Sequence, residues 1–579
     1  MRGLLYILSG LLILGSNAQV FSSSIEYQKA LQYLEERGEV YFQFSANSPA
    51  EINKLNEIIS VDKVEYPLAY AYANKAGFAG FLEAGLEYAT LTPPGLLGPA
   101  PQMSDYAEFL KGGAPADWDR YPSYTSYLEI MEKFETDHPE LCKLYKYGTS
   151  ERGRDLLIMK VSDNVETEEK EPNFIWTGTI HGDETLGYMN SLHMIDYLCT
   201  NYGNDETVDN IVDNIEVWIA PLTNPDGTYN GGNNSVSGAR RYNANNRDLN
   251  RNFPTPSRPY GNYSAWEDEV KYMKDFEEKH NFVMGLDIHG GMENVVYPWA
   301  YTRRYHVDQE WWEYVGGRYA DLAHSNSPSG YFTTTQSDGV GSAGSDYYTA
   351  NGTRIDFPVY GTSCRAVTLE QNTQKLLSES KLLDYWEYNR EAMLQLMLET
   401  LNGVQGTVTD TFSGEPLVAK VYIENHDDDS SHVYSDSMGI YHRPIYAGTY
   451  NFTFTSGDYH PKTVRNVRPK NGEPLVLDVQ LVPPTGITNN LQPVYISISV
   501  KPMAGGVKID FGKHALTGRV GIYDLQGKII RDFPAKQSHE KVIFWDGSNA
   551  NGQPVSSGCY LVKIAGNEGN ISKSFLYHR

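Results

Sequence analysis

Four residues, far apart in the chain, have the types that bind and use a divalent metal. His181 and Glu184 stand three positions apart, His289 follows further along, and Glu370 closes the segment 365–370. Two imidazoles and one carboxylate fill three of the four positions around a zinc ion and leave the fourth open to water. A separate carboxylate such as Glu370 can take a proton from that water. The residues therefore predict one catalytic zinc ion per chain, bound by His181, Glu184 and His289.

The elements around these residues must bring them together. Each one follows or ends a short apolar run, at 174–180, 282–288 and 366–369, and such runs are typical of buried strands. After Glu184, apolar residues recur at the spacing of one helix face: Leu186, Met189, Leu192, Ile195 and Cys199. The ligands would then lie where a strand ends and a helix begins, the usual place of a site in an α/β sheet. We expect three strand ends to converge on one crevice.

Further motifs lie between the first two metal segments: NPDG at 224–227, RYNAN at 241–245 and DLNRNFP at 248–254. With the metal pattern, they make the chain from about 118 to 403 resemble the zinc metallocarboxypeptidases, also called funnelins. The segment 241–254 is similar to the regulatory, or N/E-type, branch of that family. The resemblance implies zinc binding by the two histidines and Glu184, and it implies an α/β catalytic domain whose mixed sheet is flanked by helices.

The same resemblance implies roles for other residues. Glu370 would activate the water, and Arg241 would polarise the scissile carbonyl, where a fixed cation stabilises the developing oxyanion. Asn250 and Arg251 would hold the terminal carboxylate of a peptide, which matches the two-pronged geometry of a guanidinium. Asp248 matches the carboxylate that orients a zinc-bound histidine from outside the first ligand shell.

Counting back from Glu370 places two residues of the substrate pocket. Tyr348, twenty-two positions earlier, matches the family's mobile tyrosine, and we favour it over Tyr347 and Tyr360. Ile355, fifteen positions earlier, matches the floor of the side-chain pocket and favours a neutral or hydrophobic terminal residue. This differs from the regulatory branch.

The neighbouring Arg354 could attract acidic side chains if it turned inward. We expect instead a solvated loop charge.

Composition narrows the classes of partner. The 579 residues carry a net charge of −25, which argues against nucleic acids and anionic membrane surfaces. The length suggests three or four domains. Among four cysteines, Cys142 and Cys199 could pair in an oxidising compartment.

The start of the chain predicts its compartment. Arg2 precedes an apolar run at 4–14, and small residues end at Ala18, as in a secretory signal peptide occupying 1–18. The run is too short to span a bilayer, and no other span is apparent. We expect a secreted, extracellular or cell-surface protein; a periplasmic one is less expected.

A small α+β module is predicted at 19–93, with strands at 40–44, 68–73 and 86–91 and helices at 48–60 and 75–85. The first helix would begin with Ser48 as its cap. This βαβαβ order resembles metallocarboxypeptidase pro-segments, which cover the active site; the alternative is an accessory domain without inhibitory role. The Pro- and Gly-rich linker at 94–116 would be cleaved between Pro101 and Trp118 on activation.

The catalytic domain, 117–403, is predicted to end with a helix at 380–401. Short strands and glycine turns predict an all-β sandwich at 404–483, similar to the transthyretin-like domain that follows the catalytic domain in regulatory carboxypeptidases. The acidic run 427–429 could bind calcium, but we favour a solvated turn. A second β domain at 485–579 resembles type IX sorting or flagellar hook-cap immunoglobulin-like domains, which suggests a link to bacterial export machinery or the cell surface.

These observations predict a multidomain, secreted zinc metallocarboxypeptidase that removes the terminal residue of peptides or proteins. One alternative is a peptidase that cleaves γ-glutamyl-diaminopimelate links in peptidoglycan. Another is a surface binding protein that keeps the same scaffold without catalysis.

Overall fold

The computed structural model describes residues 24–113, 115–167, 169–257, 266–333, 339–428, 430–484, 499–503, 505–510, 519–524, 527–533, 542–566 and 569–577. The predicted signal peptide at 1–18 lies outside these residues. The chain divides into two compact units, Met1–Pro483 and Pro484–Arg579. No helix of the described residues is long and apolar enough to cross a membrane.

The N-terminal module is a four-stranded antiparallel sheet in the order β2-β3-β1-β4, packed with helices. Its apolar core includes Phe42, Phe44, Phe78 and Phe81. The elements are α1 (Ser24–Arg37), β1 (Val40–Ser45), α2 (Pro49–Leu55), β2 (Ser60–Glu65), β3 (Leu68–Ala73), α3 (Lys75–Glu83) and β4 (Tyr88–Leu91).

The predicted βαβαβ order of this module is wrong in two places: strand β2 takes the place of the end of the predicted first helix, and helix α1 precedes β1. The hydroxyl of Ser48 does cap α2 by accepting from the Glu51 amide, but the helix ends at Leu55 rather than at residue 60. The polar segment 60–65 forms strand β2, because it pairs along β3 and buries Val61. A register shift at Asp62 interrupts its alternation, so the segment carries no clear strand pattern. Helix α1 was not predicted.

A short connection leads from the module to the catalytic region. It contains β5 (Met103–Ser104) and α4 (Ala107–Leu110), and β5 pairs in parallel with β6 (Tyr121–Pro122). Tyr106 is buried against Trp118, whereas residues 111–113 are exposed. Only part of the predicted linker is therefore open to proteases.

The catalytic region is built on an eight-stranded mixed sheet in the order β13-β12-β14-β11-β9-β10-β8-β7. Strands β14, β11, β9 and β10 are parallel, and β8 pairs antiparallel to β10. The strands are β7 (Cys142–Thr149), β8 (Asp155–Val161), β9 (Asn173–Gly178), β10 (Glu216–Ala220), β11 (Phe282–His289), β12 (Met292–Tyr297), β13 (Val340–Ser342) and β14 (Arg365–Asn372).

Helices cover both faces of this sheet. On β9, Phe174 and Trp176 join the core that includes residues of α5, α6, α10 and α11, whereas Ile175 joins a second core with residues of α9. The helices are α5 (Tyr124–Asp137), α6 (Leu186–Asn201), α7 (Glu206–Val212), α8 (Pro225–Thr228), α9 (Asp268–Glu277), α10 (Gln309–Ser325) and α11 (Leu382–Leu398). The α/β class with helix-flanked mixed sheet is confirmed, and α6 begins at Leu186 as the apolar spacing predicts.

Cys142 of β7 and Cys199 of α6 meet within the larger of these cores. Their sulfur atoms lie 2.9 Å apart and both side chains are buried. The geometry is compatible with the pairing considered from the sequence, which stays a prediction.

Residues 403–482 form a β-sandwich. One sheet contains β18, β15, β21 and β22, and the other has the order β17-β16-β19-β20. The strands are β15 (Gly403–Asp410), β16 (Lys420–Ile423), β17 (Val433–Tyr434), β18 (Ile440–Arg443), β19 (Tyr450–Thr455), β20 (Lys462–Val467), β21 (Pro474–Val476) and β22 (Val479–Leu481). Val421, Phe452 and Phe454 fill its core.

A buried ion cluster joins the sandwich to the catalytic region. The guanidinium of Arg443 binds both carboxylate oxygens of Asp308, each at 2.9 Å, and Arg365 at the start of β14 binds the same carboxylate. Asp427 accepts from Arg443 at 2.7 Å. The expectation of a solvated acidic turn is therefore wrong for Asp427, because its carboxylate is buried by this ion pair; Asp428 is half exposed, and residue 429 lies outside the described residues.

The second unit, considered by itself, contains two antiparallel sheets in the described residues. Their orders are β23-β24-β27 and β26-β25-β28-β29, and Trp545 is buried in their core. The strands are β23 (Ser499–Met503), β24 (Gly506–Asp510), β25 (Arg519–Tyr523), β26 (Ile529–Phe533), β27 (Val542–Trp545), β28 (Gly558–Gly566) and β29 (Gly569–Tyr577). The predicted all-β character of this segment is seen in these strands.

Asp308→Asn should weaken the junction between the catalytic region and the sandwich. Burial alone raises the pKa of Asp308, but Arg443 and Arg365 outweigh it and lower the pKa to about 2. Removing this charge leaves two buried arginines without their shared partner, so we expect a loss of about 3–5 kcal/mol in the free energy of unfolding at pH 7. Urea unfolding measures this loss, and Asp321→Asn, an exposed change in helix α10 that Asp308 precedes, serves as control.

The pH dependence gives the same prediction a second readout. A carboxylate whose pKa is depressed stabilises the fold above its ordinary pKa and loses that effect as the pH falls toward its folded pKa. The difference in the free energy of unfolding between wild type and Asp308→Asn should therefore be largest above about pH 4 and shrink toward about pH 2. An equal difference at both ends would contradict the assignment.

Candidate metal centre and peptide cleft

The three predicted metal ligands meet in one buried cluster. His181 Nδ1 lies 3.0 Å from Glu184 Oε1, and His289 Nδ1 lies 2.8 Å from Glu184 Oε2. The two Nδ1 atoms are 3.1 Å apart. His181 and Glu184 come from the loop after β9, and His289 is the last residue of β11. Three nitrogen and oxygen ligands at this spacing are what a zinc ion requires.

The outer nitrogens of both imidazoles face carboxylates. His181 Nε2 lies 3.3 Å from Asp248 Oδ1, and His289 Nε2 lies 2.8 Å from Asp287 Oδ2. An ionised carboxylate only accepts, so these contacts suit neutral imidazoles that carry the proton on Nε2 and leave the Nδ1 lone pair for a metal ion. The two Nδ1 atoms and the carboxylate of Glu184 then converge on one point, where Glu184 also accepts from Lys375. The residues present therefore fit a zinc ion.

The NPDG motif supports the loop that carries His181. Asn224 caps α8 by accepting from the Gly227 amide, and its Nδ2 donates to the Ile180 carbonyl at 3.0 Å. The backbone of Gly227 packs closely on Gly182, and a Cβ added to Gly182 would lie 2.3 Å from the carbonyl carbon of Gly227. Only glycine therefore fits at position 182, between the two metal ligands of this loop.

Glu370 lies beside the cluster because of strand register. In the parallel pair β11–β14, His289 and Glu370 are direct partners. The Glu370 side chain lines the cavity, and its Oε2 is buried without a hydrogen-bond partner among the described residues. Burial raises the pKa of Glu370, and the charge of Glu184 adds to this shift while His289 opposes it. A carboxylate with a free oxygen and a raised pKa is suited to accept a proton.

Arg241 is buried close to the metal ligands. Its Nε donates to Asp248 at 3.0 Å, and its NH1 lies 3.6 Å from Glu184. NH1 also lies 3.3 Å from Asp62, a residue of strand β2 in the N-terminal module. Asp248 thus holds both a metal ligand and the cation predicted to stabilise an oxyanion.

The three residues predicted to hold a peptide terminus lie along the same cavity. Arg251 NH2 donates to the carbonyl of Val61 at 3.4 Å, and the hydroxyl of Tyr348 donates to the same carbonyl at 2.9 Å. The Asn250 amide oxygen accepts from the backbone of Arg354 at 2.6 Å. Arg251 and Tyr348 therefore converge on one oxygen atom, which the N-terminal module supplies.

The cavity has a volume of about 110 Å³ and is lined by all the predicted site residues except Asp248, which lies behind them. Ile355 is buried and packs with Ala300 and Ala350, so this part of the cavity is apolar. The expectation for Arg354 is wrong: it is buried rather than solvated, because its guanidinium pairs with Glu277 at 2.9 Å. It does not line the cavity.

Three residues in or beside the site were not assigned from the sequence. Asp287 could have been found, because side chains two apart on a strand share a face and it precedes His289 by two. Lys375 lies 2.5 Å from Glu184, and Asp62 lies 2.8 Å from Lys375. No sequence pattern joins these two residues to the metal ligands, since they lie in different elements.

Two segments of the chain match known protein families. Residues 127–392 match the zinc carboxypeptidase family, and residues 403–482 match the carboxypeptidase regulatory-like domain. Carboxypeptidase SOL1 of Arabidopsis thaliana is 30% identical over 373 residues, which cover 62% of this chain and 72% of that protein.

Two relatives from animals cover different shares of their own length. Homo sapiens carboxypeptidase D is 30% identical over 395 residues, covering 63% of this chain but only 27% of that protein. The catalytic chain of Rattus norvegicus carboxypeptidase N is 28% identical over 405 residues, covering 62% of this chain and 86% of that protein.

The site and these matches define the class of the protein. The chain belongs to the zinc carboxypeptidase family, and a regulatory-like β domain follows the matched catalytic segment. The family uses zinc, and His181, Glu184 and His289 are the residues that would hold it.

Asp287→Asn and Asp248→Asn should each weaken zinc binding about 10- to 100-fold, because they remove the negative charge that orients a histidine ligand and raises its basicity. A competition titration against a fluorescent chelator measures the affinity. Asp384→Asn, a half-exposed change of the same type on α11, serves as control and should leave it unchanged. Unaltered affinity in both site variants would refute the role of these carboxylates.

Proposed function

We propose that this chain is a zinc-dependent carboxypeptidase that hydrolyses the last peptide bond of peptides or proteins. The observation that carries the proposal is the shared cavity in which the three metal ligands, Glu370 and the pair Arg251–Tyr348 face one another. A base beside the metal supports hydrolysis. A guanidinium beyond it supports recognition of a free carboxylate.

Zinc, when bound, supplies Lewis acidity that polarises the scissile carbonyl and makes water a better nucleophile. Glu370 accepts the proton of the attacking water and then gives it to the leaving amine. Arg241, held by Asp248, faces the negative charge that develops on the carbonyl oxygen. Arg251 and Tyr348 hold the terminal carboxylate, so an internal peptide bond lacks this binding energy and is disfavoured.

The pocket around Ile355 supports a neutral or hydrophobic terminal residue. Ala300, Ala350 and Ile355 are buried apolar neighbours, and the nearby Arg354 is already paired with Glu277. A basic terminal side chain would find no carboxylate among these residues, and burying it unpaired would be costly.

Glu370→Gln should lower the rate of release of terminal residues by about 100- to 10,000-fold while leaving zinc content intact, because an amide cannot accept the proton. The assay uses blocked dipeptides ending in Phe, Leu, Lys, Arg, Glu or Ala, with and without chelator. Chelator-sensitive release of Phe and Leu is expected.

Release of Lys or Arg instead would refute the apolar pocket but keep the reaction. No release from any dipeptide, even by protein cleaved before Trp118, would favour the γ-glutamyl-diaminopimelate substrate or a binding role.

The contacts of the N-terminal module support a latent precursor. The side chain of Asp62 lines the cavity and pairs with Arg241, and the backbone carbonyl of Val61 occupies Arg251 and Tyr348. A substrate would need these same groups, so module and substrate should exclude each other. Cleavage in the exposed segment 111–113 would then precede activity; this lies within the cleavage region expected from the sequence.

Asp62→Ala should activate the uncleaved chain by at least about tenfold, since it removes the carboxylate that pairs with Arg241 and Lys375. Peptide release by zinc-loaded full-length protein measures the effect. Glu65→Ala, an exposed change on the same strand, is the matched control. If the unaltered, uncleaved chain is as active as protein nicked at 111–113, the module does not inhibit.

Export of the protein is part of the same proposal. It rests on the predicted signal peptide at 1–18 and on the β-rich second unit, whose sequence resembles sorting or surface-attachment domains. N-terminal sequencing of secreted material would locate both processing points.

A further inference from the structure

Three carboxylates converge at the start of helix α9, outside the zinc cavity. Glu267 is the residue before the helix, Glu269 lies in its first turn, and Glu151 comes from the turn between β7 and β8. One carboxylate oxygen of each residue lies within 4.8 Å of the other two. None of the three residues lines the cavity that holds the zinc ligands. Like charges at this spacing repel one another, so the arrangement favours a positive partner.

Glu269 is the member of this cluster whose surroundings point to a bound ligand. It is only 4% exposed, and its Oε1 has no hydrogen-bond partner among the described residues. Burial raises the pKa of its carboxyl to about 7, and the charges of Asp226 and Glu151 add to this shift. A buried carboxylate oxygen without a partner is costly until an ion or a bound water satisfies it. Because Glu269 supplies one of the three cluster atoms, a cation among them would meet this need.

The asparagines of the RYNAN motif hold the other oxygens of the two buried carboxylates. Asn243 Nδ2 donates to Oε2 of Glu267 at 2.9 Å and to Oε2 of Glu269 at 3.2 Å. Asn245 Nδ2 donates to the same Oε2 of Glu267 at 2.8 Å. The Nε of Arg247 comes only to 3.8 Å from Oε1 of Glu267, and this arginine side chain is 62% exposed, so solvent screens its charge. The motif thus fixes both carboxylates and leaves Oε1 of each for another partner.

The chemistry of these ligands selects the cation. The cluster offers carboxylate oxygens, which suit a hard cation, whereas zinc sites in proteins are built mainly from nitrogen and sulfur. Calcium accepts about six to eight oxygen ligands in irregular geometry, whereas magnesium demands a near-ideal octahedron with shorter bonds. Two members of the cluster are buried and Glu151 is exposed, so water can complete the coordination from one side. Calcium fits this arrangement best.

We propose that Glu151, Glu267 and Glu269 bind one calcium ion, which ties the turn between β7 and β8 to the start of α9. Asn243 contacts two of these carboxylates and belongs to the motif that begins with Arg241, so the ion also supports the segment that carries this cation. The site is structural and takes no part in hydrolysis. It stands or falls independently of the proposed carboxypeptidase reaction.

Calorimetry on the zinc-loaded full-length chain tests the site. We expect one Ca²⁺ per chain to bind here with a Kd of about 0.1–1 mM, and Mg²⁺ to bind at least about tenfold more weakly. Glu269→Gln should weaken Ca²⁺ binding about tenfold or more, because it removes the charge of the buried, unpaired oxygen. Glu151→Gln should also weaken binding, and since Glu151 is exposed, this variant tests the site even if Glu269→Gln does not fold. Absence of Ca²⁺ binding by the unaltered chain would overturn the proposal.

Two matched variants test whether the ion binds at this cluster. Asp268→Asn removes a charge from the same turn of α9 but outside the cluster, where the side chain is 43% exposed, and it should leave the Kd for Ca²⁺ within about twofold. Asp163→Asn removes a charge from a second group of carboxylates, Asp163, Glu169 and Glu171, which are only partly buried. It should also leave this Kd unchanged. Loss of binding in Asp163→Asn but not in Glu269→Gln would place the ion in that group and refute the site at α9.

Thermal unfolding adds a readout that simple helix capping would not move. Acidic residues at a helix N-terminus stabilise the helix without any ion, so capping alone makes the unfolding temperature independent of calcium. With Ca²⁺ at about ten times its Kd, we expect the unfolding temperature of the unaltered chain to rise by about 2–5 °C and that of Glu269→Gln to stay constant. No shift in the unaltered chain, or the same shift in both proteins, would contradict a calcium ion at Glu269.

Discussion

The centre of this protein is the convergence of two histidines and one carboxylate on a single point. Asp248 and Asp287 face the outer nitrogens of His181 and His289, and both inner nitrogens face Glu184. With the outer nitrogens protonated, the inner lone pairs and the Glu184 carboxylate are the donors that a zinc ion needs. The surrounding sheet and loops hold the ligand atoms of His181, Glu184 and His289 within 4.8 Å of one another, and the rest of the site is arranged around the position they define.

Two structural constraints produce that convergence. The parallel register of β11 and β14 sets His289 beside Glu370, so the predicted base lies next to a metal ligand without any loop rearrangement. The NPDG motif and Gly182 fix the loop that carries the other two ligands. At the opposite end of β14, Arg365 joins the ion cluster of Asp308 and Arg443, so the strand that positions the base also contacts the β-sandwich.

The N-terminal module contacts the same cations to which the proposed reaction assigns roles. Asp62 faces Arg241 and Lys375, and the neighbouring carbonyl faces Arg251 and Tyr348. The module thus places a carboxylate and a backbone carbonyl on the groups to which the proposed function assigns the substrate.

The sequence by itself determined the local chemistry. The metal ligands, Glu370, the motif at 248–254 and helix α6 can be predicted from residue types and spacing, because each signal lies within a few neighbouring residues. Tertiary structure alone decided the contacts between distant segments. Strand β2 is polar and irregular, so only its pairing with β3 shows it as a strand. Arg354, Asp427, Lys375 and Asp62 read as ordinary surface charges until folding buries them against partners elsewhere in the chain, and the energy of a buried charge depends on those partners rather than on its sequence neighbours.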